Sequence, residues 1–284
     1  MLLRPARLAL AVILSVLATP LAAQTPPASP SMPAPRVTET GIARPASALF
    51  VGNSFFYFNN SMHAHLTQLL READPLYRFR ATSATISGSG ANWHDIESYF
   101  RPNAIGGYSF DADNNIVFNK LDRLFDLVIM MDCSLCPIHP QLRVLFDEFV
   151  RKHSDTVRKH GAVPVLFMSW AYADRPQMTA ELAEAYTRAG NDNNALVVPA
   201  GLAFANALQQ RPDLALHAGD KRHPSMAGTY LAASTLYASL FRRPPMESTY
   251  RAGLEPETAK FLQQVAWDTV QSYYGTATTA VSIK

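Results

Sequence analysis

Short apolar segments alternate with amphipathic ones along most of the chain, and this alternation restricts the fold more than any other feature. The apolar segments are "ALFVG" (48–52), "YRFRATSAT" (77–85), "DLVIMM" (126–131), "PVLFMSW" (164–170) and "ALVVPAG" (195–201). The third and fourth are almost continuously apolar, as strands covered on both faces must be. The second alternates more and is placed nearer an edge. Between them, Met62, Leu66, Leu69, Leu70 and Ala73 recur at spacings of three and four, which puts them on one face of a helix. Residues 141–160 repeat the pattern through Leu142, Leu145, Phe146, Phe149, Val150 and Val157. Residues 178–190 end in Gly190, a common helix stop. Helical patterns over 226–241 and 256–274 complete the series. Strands separated by helices require crossovers, so the sheet is mainly parallel with helices on both faces. The expected fold is α/β, a three-layer α/β/α sandwich with about five strands. Ligands in such sheets bind beyond the C-terminal strand ends, and Ser54, Cys133, Trp170 and Gly201 follow those ends. Asn92–Leu124, rich in Gly, Asn and Asp, is expected as an extended loop near the same edge.

The flanking segments read differently. Residues 1–23 carry Arg4 and Arg7, an apolar run from Leu8 to Leu17, and the small-residue ending "TPLAAQ". This is the pattern of a secretory signal peptide cut after Ala23. The apolar run is short of the roughly 20 residues a membrane-spanning helix needs. Residues 24–47 are dominated by Pro and small polar residues and are expected as a linker. One domain is expected over 48–276, followed by a tail over 277–284. The expected location is outside the cytoplasm, periplasmic or secreted.

Net charge is +2 with scattered positive residues, which excludes the basic stripe of a nucleic-acid binder. Beyond the leader no apolar run is long enough to span a bilayer. The two cysteines, Cys133 and Cys136 in "MMDCSLCP", read as a structural bridge or as free thiols. A redox CxxC is disfavoured because the pair follows a strand in mid-chain, and a zinc site lacks two further ligands.

Two stretches carry chemistry. In "ALFVGNSFFYFNN" (48–60) the first strand stops at Gly52-Asn53-Ser54. In "GDKRHPSMAGTYLAA" (219–233), Asp220 and His223 are three apart, just before a helix that Ser225 is placed to cap. That spacing lets a carboxylate orient an imidazole; a plain surface loop is the alternative. Together the two stretches resemble the blocks of SGNH or GDSL-type hydrolases, and "GNSF", "LFMSWAY" and "HPSMAGTYLAA" point to an exported branch. No G-x-S-x-G elbow is present, unlike the α/β-hydrolase fold.

The resemblance implies a flavodoxin-like sheet with Ser54 as nucleophile, His223 as general base and Asp220 as its orienting acid. It implies an oxyanion hole from the N–H of Ser54 and a glycine in "TISGSGANW" (85–93), Gly88 before Gly90, where a plain turn is the alternative. The family's third block normally supplies an asparagine; "MMDCSLCP" has none, leaving Ser134 or a backbone N–H in its place. Asn53, Trp170 and Tyr172 are candidate pocket residues, with packing as the alternative for the aromatics. His94 and His139 are expected as solvated loop residues. No cofactor and no metal are implied. The expected activity is hydrolysis of a small-molecule or carbohydrate ester through an acyl-serine. A non-catalytic glycan- or partner-binding module is the alternative.

Overall fold

Six consecutive buried residues form the first strand, β1 (Ser47–Gly52), which lies inside the sheet with a neighbour on each side. The computed structural model describes residues 33–275, so the expected leader, part of the linker and the tail lie outside the described residues. After β1 come a single turn, α1 (Ser54–Tyr57), then α2 (Met62–Ala73) and β2 (Arg80–Thr85). The short α3 (Ile96–Tyr99) and a hairpin, β3 (Tyr108–Phe110) with β4 (Ile116–Phe118), lead to β5 (Leu127–Met130). Then follow α4 (Arg143–Lys159), β6 (Val163–Phe167), α5 (Met178–Asp192), β7 (Leu196–Val198) and α6 (Ala200–Gln210). Two long helices, α7 (Met226–Phe241) and α8 (Pro256–Tyr273), end the fold.

The main sheet has the order β2-β1-β5-β6-β7, and all its pairs are parallel. The strand order is that of the flavodoxin-like doubly wound class, whose switch point lies between β1 and the next strand to its far side. The α/β sandwich expected from the sequence is therefore the fold observed. Right-handed crossovers put α2 on one face of the sheet and α4 and α5 on the other. On the first face α7 packs against α2, α6 and α8. It is buried along its whole length after Met226, which explains a sequence apolar or small all round rather than on one stripe.

Three expectations change. The helix α6 begins inside "ALVVPAG": the strand stops at Val198, and Pro199 is the N-cap of the next helix and not part of the strand. Residues 92–124 are not one loop at the ligand edge. Arg80, the first residue of β2, donates to the carbonyls of Gly106 and Leu124, so the approach to the hairpin sits at the opposite end of the strands. Residues 33–46 are not a free linker: Val37 and Ile42 pack on the core, and Asn191 bonds the backbone of Ala34 and Arg36. No helix among the described residues is long and apolar enough to cross a membrane.

Candidate active site

Ser54 opens α1 directly after β1, where Asn53 caps the turn by accepting the Phe55 N–H at 3.2 Å. Its Oγ lies 2.8 Å from Nε2 of His223, across 169 residues of chain. The other ring nitrogen of His223 bonds Oδ2 of Asp220. Oδ1 of Asp220 accepts the N–H groups of Arg222 and His223, each at 3.0 Å. The hydrogen bond from His223, with help from the Arg222 N–H, pulls the Asp220 carboxyl down to about 2. An anionic Asp220 keeps the proton on Nδ1, so the Nε2 lone pair faces the serine. That is the tautomer a general base needs.

The loop carrying this pair is fixed from several sides. Lys221 turns through the left-handed region (φ 65°), which lets Asp220 and His223 face each other. His217 and Pro224 form a β-bridge, and the Ser225 N–H bonds Leu216 O at 2.9 Å. Ser225 caps α7 through the Gly228 N–H, as its position in the sequence predicts. Nδ2 of Asn59 donates to Pro224 O at 2.9 Å and Thr229 Oγ1 at 2.8 Å, tying the serine segment to the histidine segment. Phe58 stacks on the His223 ring at 4.1 Å and 9°, and Phe55 meets it edge-on at 5.4 Å. The aromatic run after Ser54 thus walls the imidazole, a role its composition alone does not reveal.

Gly228 is required by a close approach. A Cβ there would lie 2.2 Å from Leu216 O, on backbone that cannot swing aside. Gly228→Ala is therefore expected to displace the 216–225 segment, costing about 1–3 kcal/mol of stability, with a fall in kcat from the shifted His223. Thermal melting and p-nitrophenyl acetate turnover check both effects.

The pocket candidates have other duties. Trp170 is fully buried, sandwiched between Phe55 at 4.7 Å and Phe204 at 4.3 Å. Its indole N–H donates to Arg222 O at 3.0 Å, so it supports the Asp220–His223 loop from below instead of lining a pocket. Asn53 is buried, and its Nδ2 spans Ser89 O and Asp132 O at 3.0 and 3.2 Å, joining the loops that follow β1, β2 and β5. Tyr172 bonds Ser134 Oγ at 2.7 Å beneath the guanidinium of Arg222. Ser134 Oγ is thereby partnered by the loop that follows β6.

The two glycines of the loop after β2 part company. Gly88 is exposed in a turn closed by the Ser89 N–H on Ile86 O, and its φ of 69° is what the turn demands. Gly90 is buried: a Cβ there would lie 2.8 Å from Asn92 Oδ1 and 3.0 Å from Asp132 Oδ1. Ser89 N–H is spent on Ile86 O and Ala91 N–H on Asp132 Oδ1, which leaves the Gly90 N–H as the amide between them. Asp132 was not singled out by sequence. It is buried, burial pushes its carboxyl up, and it accepts N–H groups from Ala91 at 2.8 Å and Cys133 at 2.7 Å. It occupies the block in which the family's asparagine is expected, and it anchors the Gly90 loop.

Cys133 and Cys136 form a disulfide with Cα atoms 5.2 Å apart, closing the turn after β5. Their sulfurs and the Asp132 carboxylate lie within 4.8 Å of one another, but the bridge consumes both thiols. His139 is part-buried and accepts the Gln141 N–H through Nδ1. His94 is no solvated loop residue, being 3 % exposed. Burial pushes His94 down to about 4 and lowers His153, His65 and His63 as well. The unfolded chain binds protons on these rings near pH 6.5, while the folded chain refuses them until lower pH. For His94 this contribution to stability is complete above about pH 6.5 and is lost as pH falls toward about 4; the other three act in the same sense and Asp132 in the opposite one. Melting temperature is expected to drop over that interval, and His94→Gln to flatten the drop. A pH-independent melting temperature would contradict this.

No family model and no curated relative matches the sequence. Among solved structures the chain is similar to a DUF4886 family protein from Bacteroides uniformis. The TM-score is 0.56 at 20 % identity, over 83 % of this chain and 97 % of that one. That likeness shows a shared fold. It is also similar to TesA (TM-score 0.49, 15 % identity, 68 % of this chain and 97 % of that one). An acetylxylan esterase from Geobacillus stearothermophilus gives a TM-score of 0.48 at 17 % identity, over 77 % of this chain and 97 % of that one. The last two are too distant to carry functional weight. The SGNH-type resemblance read from the sequence agrees with the sheet order and with the placement of Ser54 at the end of β1.

Proposed function

We propose that the chain is an exported serine esterase of SGNH type, periplasmic or secreted. The observation that carries this reading is the relay Ser54 Oγ to His223 Nε2, with His223 Nδ1 on Asp220. His223 takes the Ser54 proton as Oγ attacks the ester carbonyl, giving a tetrahedral oxyanion. The N–H groups of Ser54 and Gly90 receive that charge. Collapse expels the alcohol, which takes the proton back from His223, and leaves an acyl-Ser54. Water, deprotonated by His223, attacks the acyl group; the acid departs and the serine regains its proton.

Short acyl groups on carbohydrate are the substrates the resemblance favours. The missing asparagine of the third block would suit a binding module, but such a module has no use for an imidazole oriented by Asp220 on a serine. The reading predicts that the purified protein hydrolyses p-nitrophenyl acetate and releases acetate from acetylated xylo-oligosaccharides. It predicts that His223→Ala does neither, because the serine proton then has no acceptor. A wild-type protein inert toward both substrates would sink the proposal. Activity on the first alone would confine it to an esterase with another alcohol.

A further inference from the structure

Gly90 lies between two residues that are held by buried histidines from different parts of the chain. On one side, Ser89 is fully buried, and its Oγ donates to Gly52 O at 3.1 Å. Nε2 of His94 lies 3.0 Å from that Oγ and 3.1 Å from Gly52 O, while Nδ1 lies 3.0 Å from the Tyr99 hydroxyl. The carbonyl of Ser89 is held in turn by Asn53 Nδ2. On the other side, His153 of α4 reaches Ala91 O with Nε2 at 2.9 Å, and Asp132 takes the Ala91 N–H. Gly52 and Asn53 immediately precede Ser54, so the same bonds hold the nucleophile's strand end to the loop of Gly90.

Hydrogen-bond direction is consistent with a neutral His94. Gly52 O can only accept, so Nε2 carries the proton, and Nδ1 accepts from the Tyr99 hydroxyl. Burial, which favours the uncharged ring, keeps it in that form down to acidic pH. A buried imidazole with all of its polar atoms spent on backbone and hydroxyl groups, none of them a reacting atom, is placed to fix geometry.

We propose that His94 and His153 are positioning residues that set the separation between the amides of Ser54 and Gly90, and so build the oxyanion hole without the asparagine of the third block. The inference rests on the esterase reading above. It explains how two backbone donors suffice: a hole of rigid amides depends on how exactly the two loops are registered, and displacements near 1 Å cost up to about 10² in rate.

The test is turnover of p-nitrophenyl acetate per reactive serine, with serines counted by fluorophosphonate titration, in His94→Ala, His94→Gln and His153→Ala. His94→Ala and His153→Ala are expected to lose about 10–10²-fold in kcat per titrated serine, with KM within about threefold. His94→Gln, whose amide can donate to Gly52 O, is expected to recover most of the loss. A purely structural role would lower yield and melting temperature while leaving kcat per titrated serine unchanged, and that result overturns the proposal. If the alanine variants do not fold, Ser89→Ala decides, since it removes one hydroxyl from the same clamp. It is expected to lower kcat several-fold, and an unchanged kcat overturns the proposal. A wild-type protein with neither turnover nor a titratable serine removes the esterase reading, and this inference with it. An active wild type with unaffected variants removes only the clamp.

Discussion

Ser54→Ala is expected to lower p-nitrophenyl acetate turnover by at least about 10³-fold, with the fold intact. Removing the nucleophile of a triad costs about as much as removing the whole triad, because no neighbouring group inherits its role. Ser54 is a buried residue whose Oγ has His223 Nε2 as its partner, and the loss of one oxygen leaves almost no cavity, so little change in melting temperature is expected. The control is His223→Ala, which keeps the serine but removes its base; the double variant should be little worse than either single one. Additive losses would mean that the two residues do not act as a unit.

The second large effect is expected at Gly90. An added methyl there meets Asn92 Oδ1 at 2.8 Å and Asp132 Oδ1 at 3.0 Å. The Asn92 amide is on an exposed residue and can swing away. The Asp132 carboxylate cannot: it is buried and accepts the N–H groups of Ala91 and Cys133. The loop must then retreat from Asp132 and carry the Gly90 N–H with it. Loss of one oxyanion donor costs roughly 10²–10³ in kcat, and Gly90→Ala is expected near the lower bound with KM little changed. Gly88→Ala provides the contrast. Its φ of 69° makes alanine strained, so stability falls by about 1 kcal/mol while kcat stays within about threefold. If Gly88→Ala is the variant that loses kcat, the donor has been placed on the wrong glycine.

The contrast between these glycines shows where sequence ends and structure begins. Both stand in "SGSG", and turn chemistry alone cannot rank them. What separates them is burial against Asp132, a residue that reaches the loop from the end of a different strand. The Ser54–His223–Asp220 arrangement was legible through the family resemblance that two local blocks carry: a strand that stops on Gly-Asn-Ser, and a carboxylate three residues before a histidine. The sheet was legible because both-face burial leaves continuous apolar runs. Trp170 was open to misreading as a pocket residue because strand-end position says nothing about which way a side chain turns; here it is stacked between Phe55 and Phe204. His94 escaped for the same reason. Its partners Gly52, Ser89 and Tyr99 are assembled by packing, and a loop histidine in one dimension looks solvated. Helix α6 was hidden because 195–201 reads as one apolar strand, whereas the strand ends at Val198 and Pro199 is the N-cap of the next element.

The proposed nucleophile is a single atom, Ser54 Oγ, and labelling by a fluorophosphonate probe addresses it directly. Mapped by peptide mass spectrometry, the adduct is predicted on Ser54 alone. It should form at full stoichiometry in the wild type and disappear in His223→Ala, because the attack requires the base at 2.8 Å. A folded wild-type protein that takes no label, or one labelled at another serine, would contradict the assignment of Ser54 as the nucleophile.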